Sequence, residues 1–166
     1  MHLHHAGDSA AGRGLFLAAA RLPLFGHHVL VLDDDKAARE VLQAVLEAEG
    51  ANVVAVGTAA EAYLEIERTS PDVVVTDIGM PVIDGFTFVE QLRRKPVEAG
   101  GQTPVAALTG YLAAEDQEHA KRAGFQAYLL KPVEPSELIQ TIKALASAKQ
   151  CTPASDPSET LEVSHA

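Results

Sequence analysis

The sequence has little of what stabilises secreted or membrane-bound proteins. It contains one cysteine, Cys151, among 166 residues, so no internal disulfide can form. No apolar run approaches the roughly 20 residues that a membrane-spanning helix needs. The apolar stretch at 15–25 is interrupted by Arg21 and Pro23, and it lacks the basic start and cleavage site of a signal peptide. We therefore expect a cytoplasmic protein.

Positive charge is scarce as well. The chain has 13 Lys and Arg against 23 Asp and Glu, which gives a formal net charge of −10. A negative surplus repels phosphate backbones and anionic lipids, so neither nucleic acid nor a membrane is an expected partner. Hydrophobic residues make up 47% and charged residues 22% of the chain, which is typical of a globular protein.

The two ends of the chain differ from its middle. Residues 1–26 have no sustained period and are predicted to form a flexible leader, although the histidines near the start could bind a metal. Residues 149–166 are rich in Ser, Thr, Pro and Glu, and are predicted to form a disordered tail. One folded domain is expected between them, over 27–148.

Within that domain, five strand signals alternate with five helix signals. The strand signals are short apolar runs, at 29–32, 53–56, 73–77, 104–109 and 127–130. Such runs are typical of strands buried on both faces of a parallel sheet. The alternation predicts a doubly wound α/β domain with five parallel strands and helices on both faces. The pattern does not give the strand order.

Four of the predicted strands end in a polar group. These groups are the acids Asp33, Asp34 and Asp35 after the first strand, Asp77 after the third, Thr109 at the end of the fourth and Lys131 after the fifth. Since the carboxyl ends of parallel strands share one edge, we expect these groups to meet there. Taken singly, each has a simpler role: Asp35 as a helix cap, Asp77 and Thr109 in turns, Lys131 as a solvated charge.

The combination of groups favours one kind of chemistry. Carboxylates close together repel one another unless a cation lies among them. Ligands that are all oxygen suit Mg²⁺ better than Zn²⁺. A Mg²⁺ site beside an ammonium and a hydroxyl is suited to a phosphoryl group, and a carboxylate placed in line could be its nucleophile.

Four segments, VLVLDDD, DVVVTDIGMPVIDG, PVAALTG and AYLLKP, carry a family resemblance. In this order and spacing they resemble the receiver domain of two-component response regulators, over residues 27–148. The resemblance implies a flavodoxin-like (βα)5 fold. The segment GRGLFLAAARLPL, at 12–24, is similar to the end of a histidine-kinase ATP-binding domain. This shorter similarity implies that the chain is the C-terminal receiver of a hybrid histidine kinase; the alternative is a free-standing receiver that follows an amphipathic or disordered leader.

The resemblance implies a role for each matching residue. It implies Mg²⁺ as cofactor, held by Asp33, Asp34, Asp77 and the backbone carbonyl of Gly79. It makes Asp77 the phosphoacceptor, Thr109 and Tyr128 the switch residues, and Lys131 the residue that pairs with the phosphate. The Lys131–Pro132 peptide bond is expected to be cis. Gly79 and Gly110 would leave the phosphoryl group open to water.

The resemblance also implies partners. A histidine kinase or a histidine phosphotransfer protein would supply the phosphoryl group from a phosphohistidine. The receiver would not be an enzyme, although its own phosphorylation and dephosphorylation would be self-catalysed. Its fourth helix, fifth strand and fifth helix would then change affinity for a partner, or form a homodimer.

Two alternatives of other classes stay open. One is a receiver-like interaction scaffold that is never phosphorylated, against which the intact acid, hydroxyl and lysine positions speak. The other is a Mg²⁺-dependent phosphatase with an Asp nucleophile. Such enzymes usually need a second acid two residues after the nucleophile, where this chain has Gly79.

Overall fold

A computed structural model describes residues 9–110 and 114–150 of the chain. The elements in chain order are α1 Ser9–Ala19, β1 His28–Leu32, α2 Lys36–Ala48, β2 Asn52–Val56, α3 Ala59–Thr69, β3 Val73–Asp77, α4 Gly85–Arg93, a short 3₁₀ helix Val97–Ala99, β4 Val105–Thr109, α5 Ala114–Ala123, β5 Ala127–Leu130 and α6 Pro135–Gln150. All strand pairs are parallel. The doubly wound α/β prediction is therefore confirmed.

The sheet order is β2-β1-β3-β4-β5, which local periodicity did not reveal. The chain runs from β1 to β2 on one side and then returns to place β3 on the other side. The order therefore reverses between β1 and β3, and the crevice beyond their carboxyl ends is where open α/β sheets bind ligands. In register, Leu32 lies opposite Thr76, so the residues that follow them leave the sheet side by side.

Two apolar layers cover the sheet because strand side chains alternate between its faces. Leu30 and Leu32 belong to the layer that contains Ile66 and Phe88, from α3 and α4. Val29 and Val31 belong to the layer that contains residues of α2 and α6, such as Leu46 and Ile142. The three central strands, β1, β3 and β4, are buried almost throughout, so their tips are held rigidly.

Side-chain caps fix where the helices next to the strand tips begin. Asp35 accepts hydrogen bonds from the backbone amides of the first turn of α2, as its capping interpretation predicted. Thr58 caps α3 by accepting from the amide of Glu61 at 3.3 Å, and the Glu61 carboxylate accepts from the amide of Gly57 at 3.0 Å. Asp84 caps α4. Each cap satisfies a donor that a helix start would otherwise leave unpaired.

The predicted domain boundaries stay predictions, but the described residues add to them. Where a flexible leader was expected, the structure has α1, and Leu24 is fully buried in the layer with α6. At the other end, α6 continues to Gln150, and Lys149 donates to the carbonyl of Pro71 at 2.6 Å. Residues 1–8 and 151–166, which include the first three histidines and Cys151, lie outside the described residues.

Among the described residues, no helix is both long and apolar enough to cross a bilayer.

Candidate functional site

Three carboxylates meet at the crevice between β1 and β3. Asp33 and Asp34 directly follow β1, and Asp77 ends β3. Each offers one oxygen, and these oxygens lie within 4.8 Å of one another. The neighbouring positions of β1 and β3 in the sheet bring together acids that are more than 40 residues apart in sequence. The structure thus brings together the three acids that were predicted to hold a metal.

Asp33 is the buried member of this cluster, with 1% of its surface exposed. Its Oδ1 accepts a hydrogen bond from the amide of Asp35 at 2.9 Å. Its Oδ2 is buried and accepts no hydrogen bond from any described residue. Burial raises the pKa of the Asp33 carboxyl and the charge of Asp77 raises it further, while the Asp35 amide and Lys131 lower it.

This arrangement suits a hard cation. An oxygen that is buried without a donor gains most from a positive ion, and the ligand set is all carboxylate. A cation among the three acids would also remove their mutual repulsion. The donor set therefore fits Mg²⁺.

Lys131 supplies the positive charge on the other side of Asp77. It follows β5, two strands away from β3, and its side chain extends across the tip of β4. Its Nζ lies 3.3 Å from Asp77 Oδ1 and 3.8 Å from Asp33 Oδ2. The Lys131–Pro132 peptide bond is cis, as expected. The Lys131 amide donates to the Thr109 carbonyl at 2.7 Å, which ties the tip of β5 to that of β4.

Thr109 and Tyr128 lie on the two strands nearest to Lys131. Thr109 is the last residue of β4 and is 8% exposed. Tyr128, on β5, is half-buried and packs against the apolar layer that contains Ala107 and Phe125. Leu108, the residue before Thr109, lies opposite Asp77 in register, so Thr109 is at the strand tip next to Asp77. The roles of Thr109 and Tyr128 as switch residues stay predictions.

Two glycines lie just after the tips of β3 and β4. The amide of Gly79 lies 3.4 Å from Asp77 Oδ1. A Cβ built on Gly79 or on Gly110 would meet no atom of the described chain, apart from its sequence neighbours, within 4 Å. That these glycines would leave a phosphoryl group open to water stays a prediction. The metal role of the Gly79 carbonyl stays a prediction.

Sequence reasoning missed Arg39, which contacts the backbone of the acid cluster. Its Nη1 donates to the carbonyls of Asp33 at 2.7 Å and Asp34 at 3.2 Å. No motif marks this contact, because one arginine in the first turn of a helix is usually solvated. The only signal is its spacing, five residues after Asp34 on a helix that begins beside the site.

Comparison with known proteins identifies the family and the fold of the chain. Residues 29–143 match the family model described as response regulator receiver domain. An uncharacterised 14.6 kDa protein from Leptolyngbya boryana is 43% identical over 115 residues, which cover 69% of this chain and 86% of that protein. The transcriptional regulatory protein PrrA of Mycobacterium leprae is 36% identical over 135 residues, which cover 81% of this chain but only 56% of PrrA.

Solved structures give the same result. The receiver domain of sensor histidine kinase PA1611 from Pseudomonas aeruginosa has a magnesium ion coordinated in its active site cleft. It is 29% identical to this chain with a TM-score of 0.66, and the match covers 74% of this chain and 98% of that domain.

Proposed function

Because this chain belongs to the family of response regulator receiver domains, which act in two-component signalling, we propose that Asp77 is its phosphoacceptor. One observation carries the proposal. Asp77 lies within 4.8 Å of two further carboxylates and 3.3 Å from the ammonium of Lys131. Asp33 Oδ2 also lies 3.8 Å from Lys131 Nζ, but Asp33 is buried, whereas Asp77 is closer to the lysine and partly exposed. Asp77 is therefore the acid that a metal and a lysine can serve while a phosphodonor reaches it, as transfer to a carboxylate requires.

The metal in this proposal is Mg²⁺, held by Asp33, Asp34, Asp77 and the Gly79 carbonyl. Bound there, Mg²⁺ would neutralise phosphoryl oxygens and offset the charge of the three acids. Asp34 is exposed and Asp33 is buried, so Asp34 is the more accessible direct ligand. We assign Asp33 a contact through water.

The chain's own residues account for the transfer step. An Asp77 carboxylate oxygen attacks the phosphorus of a phosphohistidine on a histidine kinase or phosphotransfer protein. The phosphorus–nitrogen bond breaks, and the electron pair leaves with the imidazole. Lys131 pairs with an equatorial oxygen, and the Thr109 hydroxyl donates a hydrogen bond to another. Hydrolysis of the product by water would return Asp77 to its carboxylate.

The response to phosphorylation is proposed to run through Thr109 and Tyr128. Thr109 moves towards the new oxygens, and the ring of Tyr128 turns into the space that it leaves. The surface formed by α5, β5 and α6 then binds an output partner, or a second copy of the chain, with changed affinity. Phosphorylation can shift the equilibrium between the two conformations of the domain only by as much as the phosphoryl group interacts differently with each of them. A cytoplasmic location belongs to the same proposal.

A labelling experiment tests the proposed acceptor. The chain is incubated with acetyl phosphate and Mg²⁺, and the modified residue is mapped by mass spectrometry. We expect one acid-stable, base-labile phosphoryl adduct on Asp77, lost in Asp77→Asn. Asp84→Asn is the matched control, because Asp84 is an acid of the same loop and its Oδ1 caps the amide of Thr87 at 2.8 Å, which asparagine can also do.

The outcomes separate the alternatives. Unchanged labelling of Asp77→Asn refutes the assignment. Steady turnover of varied phosphate esters, without a stable adduct, identifies a phosphatase. Absence of any adduct on a folded chain with Mg²⁺ bound favours the scaffold.

A further inference from the structure

The guanidinium of Arg39 holds two successive peptide groups at the acid cluster. Arg39 lies in the first turn of α2 and is half-buried. Its Nη1 donates to the carbonyls of Asp33 and Asp34 at 2.7 and 3.2 Å. Both carbonyls belong to predicted metal ligands, so one side chain restrains the backbone that carries both carboxylates.

Gly57, after β2, bounds the other side of the guanidinium. A Cβ at this position would lie 2.9 Å from Nη1 and 3.4 Å from Cζ of Arg39. Gly57 is not among the glycines with positive φ, so its conformation does not require glycine. The absence of a side chain at Gly57 leaves space, and the guanidinium of Arg39 lies beside that space.

The acid loop needs such a restraint because its charges repel one another. Asp33 and Asp34 are adjacent in sequence, and their oxygens lie within 4.8 Å of each other and of Asp77. Repulsion of this kind drives carboxylates apart when no cation is bound. The hydrogen bond from the Asp35 amide fixes only one oxygen, Asp33 Oδ1. The direction of the Asp34 side chain is set by the orientation of the Asp34 peptide group.

We propose that Arg39 is a positioning residue for Mg²⁺ binding. Its guanidinium holds the peptide groups of Asp33 and Asp34 so that their carboxylates face Asp77. Gly57 leaves room for this guanidinium. This inference rests on the proposed Mg²⁺ site. Groups that orient metal ligands from outside typically change metal affinity by about 10- to 100-fold when removed.

A magnesium titration followed by NMR tests the role of Arg39. The ¹⁵N-labelled chain is titrated with MgCl₂, and the dissociation constant is read from the amide shifts around the acid loop. In Arg39→Met, which keeps the apolar stem and removes the donors, we expect Mg²⁺ to bind ~10-fold more weakly. Lys36→Met is the control for charge, because Lys36 is on the same helix and pairs with Glu40 instead. It should change the affinity much less.

Gly57→Ala tests the same contact while keeping the arginine. The new methyl group displaces the guanidinium, so Mg²⁺ affinity should fall, though less than in Arg39→Met. In the double variant, Gly57→Ala should add nothing, because there is no guanidinium left to displace. Urea unfolding without metal separates this effect from a general loss of stability, and Gly57→Ala remains informative if Arg39→Met does not fold.

The outcomes are distinguishable. If the folded wild-type chain binds no Mg²⁺, the proposed function and this inference both fail. If the wild type binds Mg²⁺ and Arg39→Met or Gly57→Ala binds it equally well, only the role of Arg39 is refuted. Additive effects in the double variant would also refute it, since Gly57 would then act by another route.

Discussion

Replacing Asp33 by asparagine is expected to make the metal-free protein more stable. Asp33 is 1% exposed, and its buried Oδ2 accepts no hydrogen bond from the described residues. Asparagine keeps an oxygen for the Asp35 amide and places a neutral NH₂ group among acids that can accept from it. The substitution thus removes a buried charge while preserving the one hydrogen bond that the Asp33 side chain accepts from the backbone.

The size of the effect follows from the surrounding charges. At an effective dielectric constant near 20, repulsion from Asp77 at up to 4.8 Å is about 3–4 kcal/mol, and attraction to Lys131 at 3.8 Å is about 4 kcal/mol. These nearly cancel, and the repulsion from the exposed Asp34 is screened by solvent. The burial of Asp33 therefore decides whether the substitution raises or lowers the free energy of unfolding. An unsatisfied buried oxygen costs roughly 1–3 kcal/mol, so we expect a gain of about 1–2 kcal/mol.

The pH dependence has a definite sign. Because the folded-state pKa of Asp33 is raised above its ordinary value of 3.8, ionisation of this group disfavours the folded state. The cost is absent below pH 3.8 and grows as the pH rises through the raised pKa. The stability difference between Asp33→Asn and the wild type should therefore be larger at pH 7 than at pH 4.

Urea unfolding in EDTA and in Mg²⁺ measures both effects. In EDTA at pH 7, Asp33→Asn should unfold at higher urea than the wild type. Added Mg²⁺ should stabilise the wild type, by about 2.7 kcal/mol at 100 times the dissociation constant, and should stabilise the variant less. The control Glu98→Gln removes one exposed carboxylate at the opposite end of the sheet. Lower stability of Asp33→Asn in EDTA would refute the reasoning.

Three further outcomes are expected. Lys131→Met should label with acetyl phosphate far more slowly than the wild type when both are folded and saturated with Mg²⁺, since its Nζ is the cation 3.3 Å from Asp77 Oδ1; equal labelling rates would contradict its role. A Cβ at Gly79 has free space among the described residues, so the side chain of Gly79→Lys should shield the adduct from water, and decay of the phosphorylated chain, followed by intact mass, should slow. Arg93→Met should lower the free energy of unfolding by about 3 kcal/mol in urea titrations, because the half-buried Arg93 donates to three backbone carbonyls, those of Gly101, Thr103 and Gly124. A change below about 1 kcal/mol would show that water replaces these hydrogen bonds.

The strands and the groups at their tips could be predicted from sequence because each signal is local. A short apolar run such as Val29–Leu32 predicts a buried strand, and an acid immediately after it must lie at the strand's carboxyl end. Once all strands are parallel, Asp77 and Lys131 must share an edge with Asp33, whatever the strand order. The edge was therefore predictable, whereas the 3.3 Å approach of Lys131 to Asp77 depends on the order β3-β4-β5, which periodicity does not encode.

The two arginine contacts could not be predicted for a related reason. Arg39 and Arg93 donate to backbone carbonyls, and every residue offers a carbonyl, so no partner residue type marks the contact in sequence. Arg93 reaches the carbonyl of Gly124, 31 positions away, and that pairing exists only after α4 and α5 pack on the same face of the sheet. Helix α1 was missed because residues 9–19 lack the apolar period on which the prediction of helices relied.

The carboxylates and the arginine have opposite effects on the same loop. Charge density at the tips of β1 and β3 favours binding of a cation and a phosphoryl group, but it also favours opening of the loop in the metal-free chain. Asp33 bears most of this cost because it is the buried acid, and the hydrogen bonds of Arg39 counteract opening without entering the metal site. Removing the charge with Asp33→Asn should therefore stabilise the chain and weaken Mg²⁺ binding. Removing the restraint with Arg39→Met should weaken Mg²⁺ binding without stabilising the chain, and this difference in sign separates a ligand from a residue that positions it.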